Sequence, residues 1–432
     1  MKLDRFKDFE PSVRELVLRF EKQREEGGGF LDADQLEVVA DYYMEVYDVE
    51  GLEAVVNMGE RLFPANDSIR LRRAHLLGIQ GQYRQALALL RELENHAPDD
   101  TDVCYALGAL YSMTDQSRKA ISYYLKSAVD GYDLGTIYGN VGDEYYKLGD
   151  MDNAVRFYRK AIAENPDEMR SLYNLACTWD AQNRNETALA FFSKLVMEHP
   201  YSYGGWYCLG CVNSWMGSYE KAADAYEYAI AIDKTEVDAY FGLSDSYRSM
   251  GNRAAAVRAL RDSLEYASDR PYVLYSIAQL YQDEGNYHTA SSYLHEALKE
   301  DPSYDLAWSH LGYCSEMLGY NEEAAGYYRR AIDLDPDNDW HWLSLSDLYI
   351  RIGHFAEAAA LLEDACSEAE DRFAFDLRLC YCYFRMGRRN RLFGYINTAS
   401  VVYPQLGEEL LKRYADMAAD PEVVMKISSN GI

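Results

Sequence analysis

Gly217-Ser218-Tyr219-Glu220-Lys221-Ala222 sets a turn residue five positions ahead of an alanine, and the pair returns 34 positions away on either side as Asn183 with Ala188 and Gly251 with Ala256. Followed outward, the turn position reads Gly81, Asp115, Gly149, Asn183, Gly217, Gly251, Gly285, Gly319, Gly353 and Gly387. The alanine position reads Ala86, Ala120, Ala154, Ala188, Ala222, Ala256, Ala290, Ala324, Ala358 and then Leu392. Glycine, aspartate and asparagine are the residues that accept positive φ at least cost, so each turn position predicts a chain reversal. A period of 34 with this punctuation predicts an all-α chain, a solenoid of antiparallel helix pairs.

Within a unit that begins fourteen residues before its turn, the apolar positions are the fourth, seventh, eighth and eleventh. At the helical twist they fall within about 100° of arc, so one face of each first helix is committed to packing. The eighth position is small throughout: Ala74, Gly108, Gly142, Ala176, Gly210, Ser244, Ala278, Gly312, Ser346, Cys380. Small residues there let the second helix approach, with Tyr124, Tyr158, Phe192, Tyr226 and Tyr328 filling the space beside them.

Ten such units run from Asp67 to Leu406, residues 67–406. An eleventh fills Ala33 to Asn66, residues 33–66, where Pro64 keeps phase with Pro98, Pro166, Pro200, Pro302, Pro336 and Pro404 but Ala54 arrives two residues late. That delay predicts a longer inner turn and a shorter second helix in this pair. Residues 1–32 predict one capping helix from Pro11 to Glu26, with Val13, Leu16, Val17 and Phe20 on one face and Gly27-Gly28-Gly29 as its stop. In residues 407–432, Leu410, Leu411, Tyr414 and Met417 predict an amphipathic capping helix, and Asp420-Pro421 the start of a short last one.

The charge narrows the partners. The 432 residues carry 71 acidic against 43 basic groups, a formal net charge of −28. Such a surface repels nucleic acid and anionic lipid, so the expected partner is a protein or peptide segment of neutral to basic character, with no nucleic acid and no membrane. Met1-Lys2-Leu3-Asp4-Arg5 places charges where an export signal needs apolar residues, which points to a cytoplasmic protein. The uncharged run from Tyr201 to Tyr219 keeps the repeat phase and holds Gly204, Gly205 and Asn213, so it reads as a repeat and not a membrane span. Eight cysteines without such a signal read as reduced thiols that fill small packing sites.

The segment Trp206-Tyr207-Cys208-Leu209-Gly210, with Gly217 to Ala222, Tyr226 and Ala229, resembles the tetratricopeptide repeat, as do Trp308, Leu311-Gly312, Gly319, Ala324, Tyr328, Ala331 and Pro336. The whole chain resembles the all-repeat bacterial members of that family. The resemblance implies a right-handed superhelix whose first helices line a concave groove that holds a peptide or protein segment. One subgroup clamps a peptide carboxylate with a lysine at the fifth position; no unit here has lysine there. Receptors of the family carry an additional leading domain, for which the 32 residues ahead of the first unit are too few.

The fifth position, opposite the packing stripe, carries Tyr105 and then four aromatic rings in succession, Tyr173, Tyr207, Phe241 and Tyr275. Such rings offer apolar area with hydroxyls for orientation. Asn140 and Asn174, at the sixth position of neighbouring units, can bond an extended backbone. Asp245, Arg248 and Gln279 complete the expected protein-binding groove, in which aspartates such as Asp143 and Asp180 outnumber arginines such as Arg170. Cys208-Leu209-Gly210-Cys211 matches CxxC and lies near Cys177 in phase, but it falls in mid-helix with no fourth ligand at matching spacing. No metal, cofactor or catalytic residue is expected, since HExxH, a phosphate-binding glycine loop and a nucleophile paired with a base are all missing. The leading expectation is a non-enzymatic scaffold or adaptor; a peptide sensor that changes pitch on binding and a self-associating assembly subunit are the alternatives.

Overall fold

The computed structural model describes residues 10–26, 30–129, 133–365 and 372–429. The chain divides into two compact units, Met1–Ile232 and Asp233–Ile432. The first contains α1 (Pro11–Glu26), α2 (Ala33–Glu45), α3 (Val49–Leu62), α4 (Asp67–Ile79), α5 (Tyr83–His96), α6 (Thr101–Met113), α7 (Ser117–Ser127), α8 (Leu134–Lys147), α9 (Met151–Glu164), α10 (Met169–Ala181), α11 (Asn185–Glu198), α12 (Tyr203–Trp215) and α13 (Tyr219–Ile232). The second contains α14 (Asp238–Ser249), α15 (Arg253–Ser263), α16 (Arg270–Asp283), α17 (Tyr287–Glu300), α18 (Asp305–Met317), α19 (Asn321–Leu334), α20 (Asp339–Arg351), α21 (Phe355–Ala365), α22 (Arg372–Arg385), α23 (Arg389–Val402), α24 (Leu406–Arg413), α25 (Ala415–Ala418) and α26 (Pro421–Ser429). Within each unit, successive helices pack on one another, and no strand occurs among the described residues.

All ten turn positions named above have positive φ, from 55° at Asp115 to 85° at Gly319. An eleventh, Tyr47 at φ 56°, lies 34 residues before Gly81 and turns α2 into α3. The first pair therefore corrects the expectation of a longer turn and shorter second helix: α3 has 14 residues, as α5 does. Its packing is inverted. Leu52, 1% exposed, occupies the alanine position, and the close approach is made by Gly51, where a Cβ would stand 2.3 Å from the Tyr43 ring.

The alanines of the second helices, Ala86 to Ala358, are fully buried, as is Leu392. Opposite them, a Cβ on Gly108, Gly142 or Gly210 would come within 2.6 Å of Tyr124, Tyr158 or Tyr226, and one on Gly312 within 2.9 Å of Tyr328. The buried stripe of the first helices is wider than the sequence suggests. Their third position is buried from Ile69 to Phe375, and so is the tenth from Leu76 to Cys382. Each large apolar side chain so covered contributes roughly 1.5–3 kcal/mol.

Three of the in-phase prolines have a tryptophan partner. Trp206, Trp308 and Trp342 donate their indole N–H to the carbonyls of Pro200, Pro302 and Pro336 at 2.9, 2.9 and 2.8 Å. Each bond ties a first helix to the connection before it. Helix starts are closed by side chains such as Asp100, which accepts from the Val103 N–H at 2.9 Å. Helix α1 buries Val17 and Phe20, while its Gly27-Gly28-Gly29 stop lies outside the described residues. At the other end, the single helix expected from Leu410 to Met417 is two, α24 and α25. Tyr414 separates them with extended backbone, φ −120° and ψ 97°, and stacks on Tyr381 with ring centroids 3.9 Å apart.

Candidate functional site

In the first unit the faces of α6, α8 and α10 hold a pocket of about 510 Å³, lined by residues from Ala109 to Cys177. Its polar wall is a chain of hydrogen bonds joined by one longer ion pair. Asn140 donates to the Tyr105 hydroxyl at 3.2 Å and accepts from Arg170 Nη2 at 2.7 Å. Arg170 Nη1 stands 3.6 Å from Asp143 Oδ2, while Asp143 Oδ1 accepts from the Tyr158 hydroxyl and from Asn174 Nδ2, both at 2.8 Å. Burial, and then the neighbouring Asp143 anion, push the Tyr158 phenol up, so it stays a donor to that carboxylate.

A second cluster borders the same pocket. Glu144 is 1% exposed and accepts from the Ser112 hydroxyl at 2.5 Å and from Lys147 at 2.7 Å. Burial alone would raise its carboxyl, yet the hydrogen bonds from Lys147 and Ser112 hold it below the usual range. Glu144 takes a tenth position that is apolar in most units, and that substitution is the signal by which the sequence could have revealed it.

Ala109 and Met113 also line an adjoining apolar pocket of about 160 Å³ with Met44, Ile79, Leu90 and His75. The buried Nδ1 of His75 has no hydrogen-bond partner. Burial first, and then the Arg72 charge, push this imidazole down to about 4.

Tyr173 and Tyr207 extend the same side of the first unit. Tyr173 is 40% exposed, its ring centroid 6.3 Å from that of Tyr207, which also stacks with Tyr203 at 6.0 Å. Thus Tyr105, Asn140 and Asn174 belong to one bonded network, and Tyr173 and Tyr207 form a ring pair. The thiols beside them are covered: Cys208 is fully buried and Cys211 is 7% exposed, accepting from the Tyr226 hydroxyl at 3.4 Å. Burial pushes both thiols up, Cys211 to about 11, which leaves them unreactive.

In the second unit, Phe241 is half-buried, with its ring 5.3 Å from Tyr272. Asp245 and Arg248 pair with each other at 3.0 Å on the surface. Tyr275 departs from the expectation of a ring open to a ligand. It is 7% exposed, its hydroxyl bonded to His310 Nε2 at 3.0 Å and to Gln279 Nε2 at 2.8 Å. No helix among the described residues is long and apolar enough to cross a membrane.

Three family models, each described as tetratricopeptide repeat, match this chain: one over residues 275–339, one over 317–371 and one over both 135–168 and 237–270. The TPR repeat-containing protein YpiA of Bacillus subtilis (strain 168) is 23% identical over 130 residues, 30% of this chain and 31% of that protein. The chain thus matches about a third of that relative's length. Among solved structures, MamA is 28% identical at TM-score 0.32, covering 38% of this chain and 95% of its own. YrrB, described as a TPR protein with an unusual peptide-binding site, is 23% identical at TM-score 0.33, covering 43% and 95%. The APC/C hetero-tetramer Cut9–Hcn1 is 13% identical at TM-score 0.38, covering 98% and 93%.

Proposed function

Since the chain is a tetratricopeptide-repeat protein, we propose that it is a non-enzymatic scaffold or adaptor that holds a segment of a partner protein along the first helices of residues 1–232. The observation that carries this reading is the pocket of about 510 Å³ and the bonded chain along its wall. Asn174 commits one amide hydrogen to Asp143 and keeps its carbonyl oxygen for a backbone N–H of the partner. Arg170, 48% exposed, is held by its 2.7 Å bond to Asn140 but stands 3.6 Å from Asp143 Oδ2, so a basic side chain of the partner that reaches Asp143 replaces only this longer contact. The adjoining apolar pocket takes an apolar side chain of the same segment, and Tyr173, beside Cys177 of the larger pocket, supplies ring surface with Tyr207.

In this reading α1 and α24 to α26 act as end caps, burying Phe20 at one end and Leu410, Met417 and Val423 at the other. Affinity capture from the native cell tests the function. Partners retained by the wild-type chain should be lost with Asn174→Ala combined with Tyr207→Ala and kept with exposed Asp224→Ala combined with Glu227→Ala. Capture that survives the first double variant and fails with the second contradicts the proposed face.

A further inference from the structure

The second unit departs from the repeat pattern at three positions that meet in space. The third position of a first helix is apolar or small and buried in the other nine units from Asp67 onward, yet α20 places His341 there, with no exposed surface. The fifth position carries a large side chain in most units, yet α18 places the fully buried Ser309 there, beside the imidazole. The first residue of α18, Asp305, completes the contact. His341 Nδ1 lies 3.0 Å from Ser309 Oγ and Nε2 lies 2.8 Å from Asp305 Oδ2.

A third group lies near the same imidazole. Asp335, at the end of α19, is fixed by its own turn, where its Oδ1 accepts from the Asp337 N–H at 3.2 Å. One donor atom from each of Asp305, Asp335 and His341 lies within 4.8 Å of the others. Among the described residues neither carboxylate has a lysine or arginine partner, the one ion pair at either being that of Asp305 with His341. The two partly exposed carboxylates and the fully buried imidazole thus form a cup of three oxygen and nitrogen donors, with no lysine or arginine paired to it among the described residues.

We propose that Asp305, Asp335 and His341 form a binding site for a divalent transition-metal ion, with Ser309 as the residue that positions the imidazole. One imidazole and two carboxylates suit Zn²⁺ and its first-row neighbours. His341 Nε2 and Asp305 Oδ2 are 2.8 Å apart as hydrogen-bonded partners, and two ligands about 2.0–2.2 Å from one tetrahedral ion stand roughly 3.3–3.6 Å apart, so a small displacement brings both onto one ion. As the side chains stand, Nε2 donates its proton to Asp305; an ion would displace that proton and take the Nε2 lone pair, with Nδ1–H then donating to Ser309 as the outer hydrogen bond of a ligating histidine. Asp305 and Asp335 are partly exposed, so an ion can enter, and three protein ligands leave room for water or for a donor from a bound partner.

The test uses the full chain, stripped with chelator and titrated with Zn²⁺ by calorimetry and with Co²⁺ by visible absorption. The expected result is one ion per chain, bound with a dissociation constant below about 10 μM and with a Co²⁺ spectrum of a nitrogen and oxygen ligand set. Asp335→Asn and Asp305→Asn, both checked for native helix content, should each weaken binding at least about tenfold, and Ser309→Ala should weaken it by about tenfold. Absence of stoichiometric binding to the wild-type chain overturns the site. So does unchanged affinity in both aspartate variants, since it places the ion elsewhere.

Discussion

A Cβ on Gly142 would lie 2.6 Å from Cδ1 of the Tyr158 ring, so α8 and α9 meet at a distance that only glycine permits. The same ring sends its hydroxyl to Asp143, one residue along, and thereby couples the packing of this pair to the pocket wall. Gly142→Ala should push the ring away and cost roughly 1–3 kcal/mol. Gly326, in the middle of α19 with nothing within 4 Å of its Cβ position, is the opposite case, and Gly326→Ala should stabilise by about 0.5–1 kcal/mol. Urea unfolding of the two variants should give shifts of opposite sign; a loss of stability in both would refute this packing account.

Tyr47 holds φ 56° with its side chain 85% exposed, so its left-handed backbone is not repaid by packing of the ring. Tyr47→Gly should raise stability by about 1 kcal/mol, because the left-handed region costs an L-residue roughly that much. The unfolding midpoint measures it, and a fall would mean that the ring makes contacts worth more than the strain.

His75 gives the first unit an acid-sensitive seam. Its folded value, about 4, lies below the ordinary 6.5, so between those values the unfolded chain binds the proton more readily. The stability it contributes is present above pH 6.5 and is lost as pH falls towards 4, up to about 3 kcal/mol. His75→Leu, placed among Met44, Ile79 and Leu90, should flatten this part of the stability profile. An unchanged slope between pH 6.5 and 4 in that variant would assign the acid sensitivity to other groups.

The buried thiols supply a kinetic prediction. Cys177 is only half-buried, whereas Cys208 and Cys211 are covered. A thiol reagent at pH 7.5 should modify Cys177 first and the other two only on unfolding, and Cys208→Ser combined with Cys211→Ser should leave helix content unchanged. Rapid reaction at Cys208 would contradict their role as packing.

The turns were legible because positive φ is written in residue type: eight glycines, Asp115 and Asn183. Tyr47 carries no such signal, so the first pair was misread from Ala54, and the inversion of Gly51 under Tyr43 became visible only in space. Asn140 and Asn174 could be placed by period alone. The bonds from Tyr158 and Arg170 to Asp143 could not, since they join side chains about 15 to 30 residues apart whose directions depend on how the helices pack. Tyr275 was legible as a fifth-position ring but not as a buried one, because His310 of the next first helix covers it. Glu144 and His341 share a readable mark, an ionisable group at a position that is otherwise apolar or small and uncharged, which the four-position stripe was too narrow to register.

Photo-crosslinking tests the central claim most directly. A photoreactive side chain introduced at position 173, on the open ring face, should trap a partner in the native cell, and the same group at position 224, on the exposed side of α13, should not. The trapped partner peptide should carry a basic residue near the crosslink, and competition by that peptide should be lost in Asn174→Ala. Partner trapped from position 224 and none from position 173 would contradict binding along the first helices.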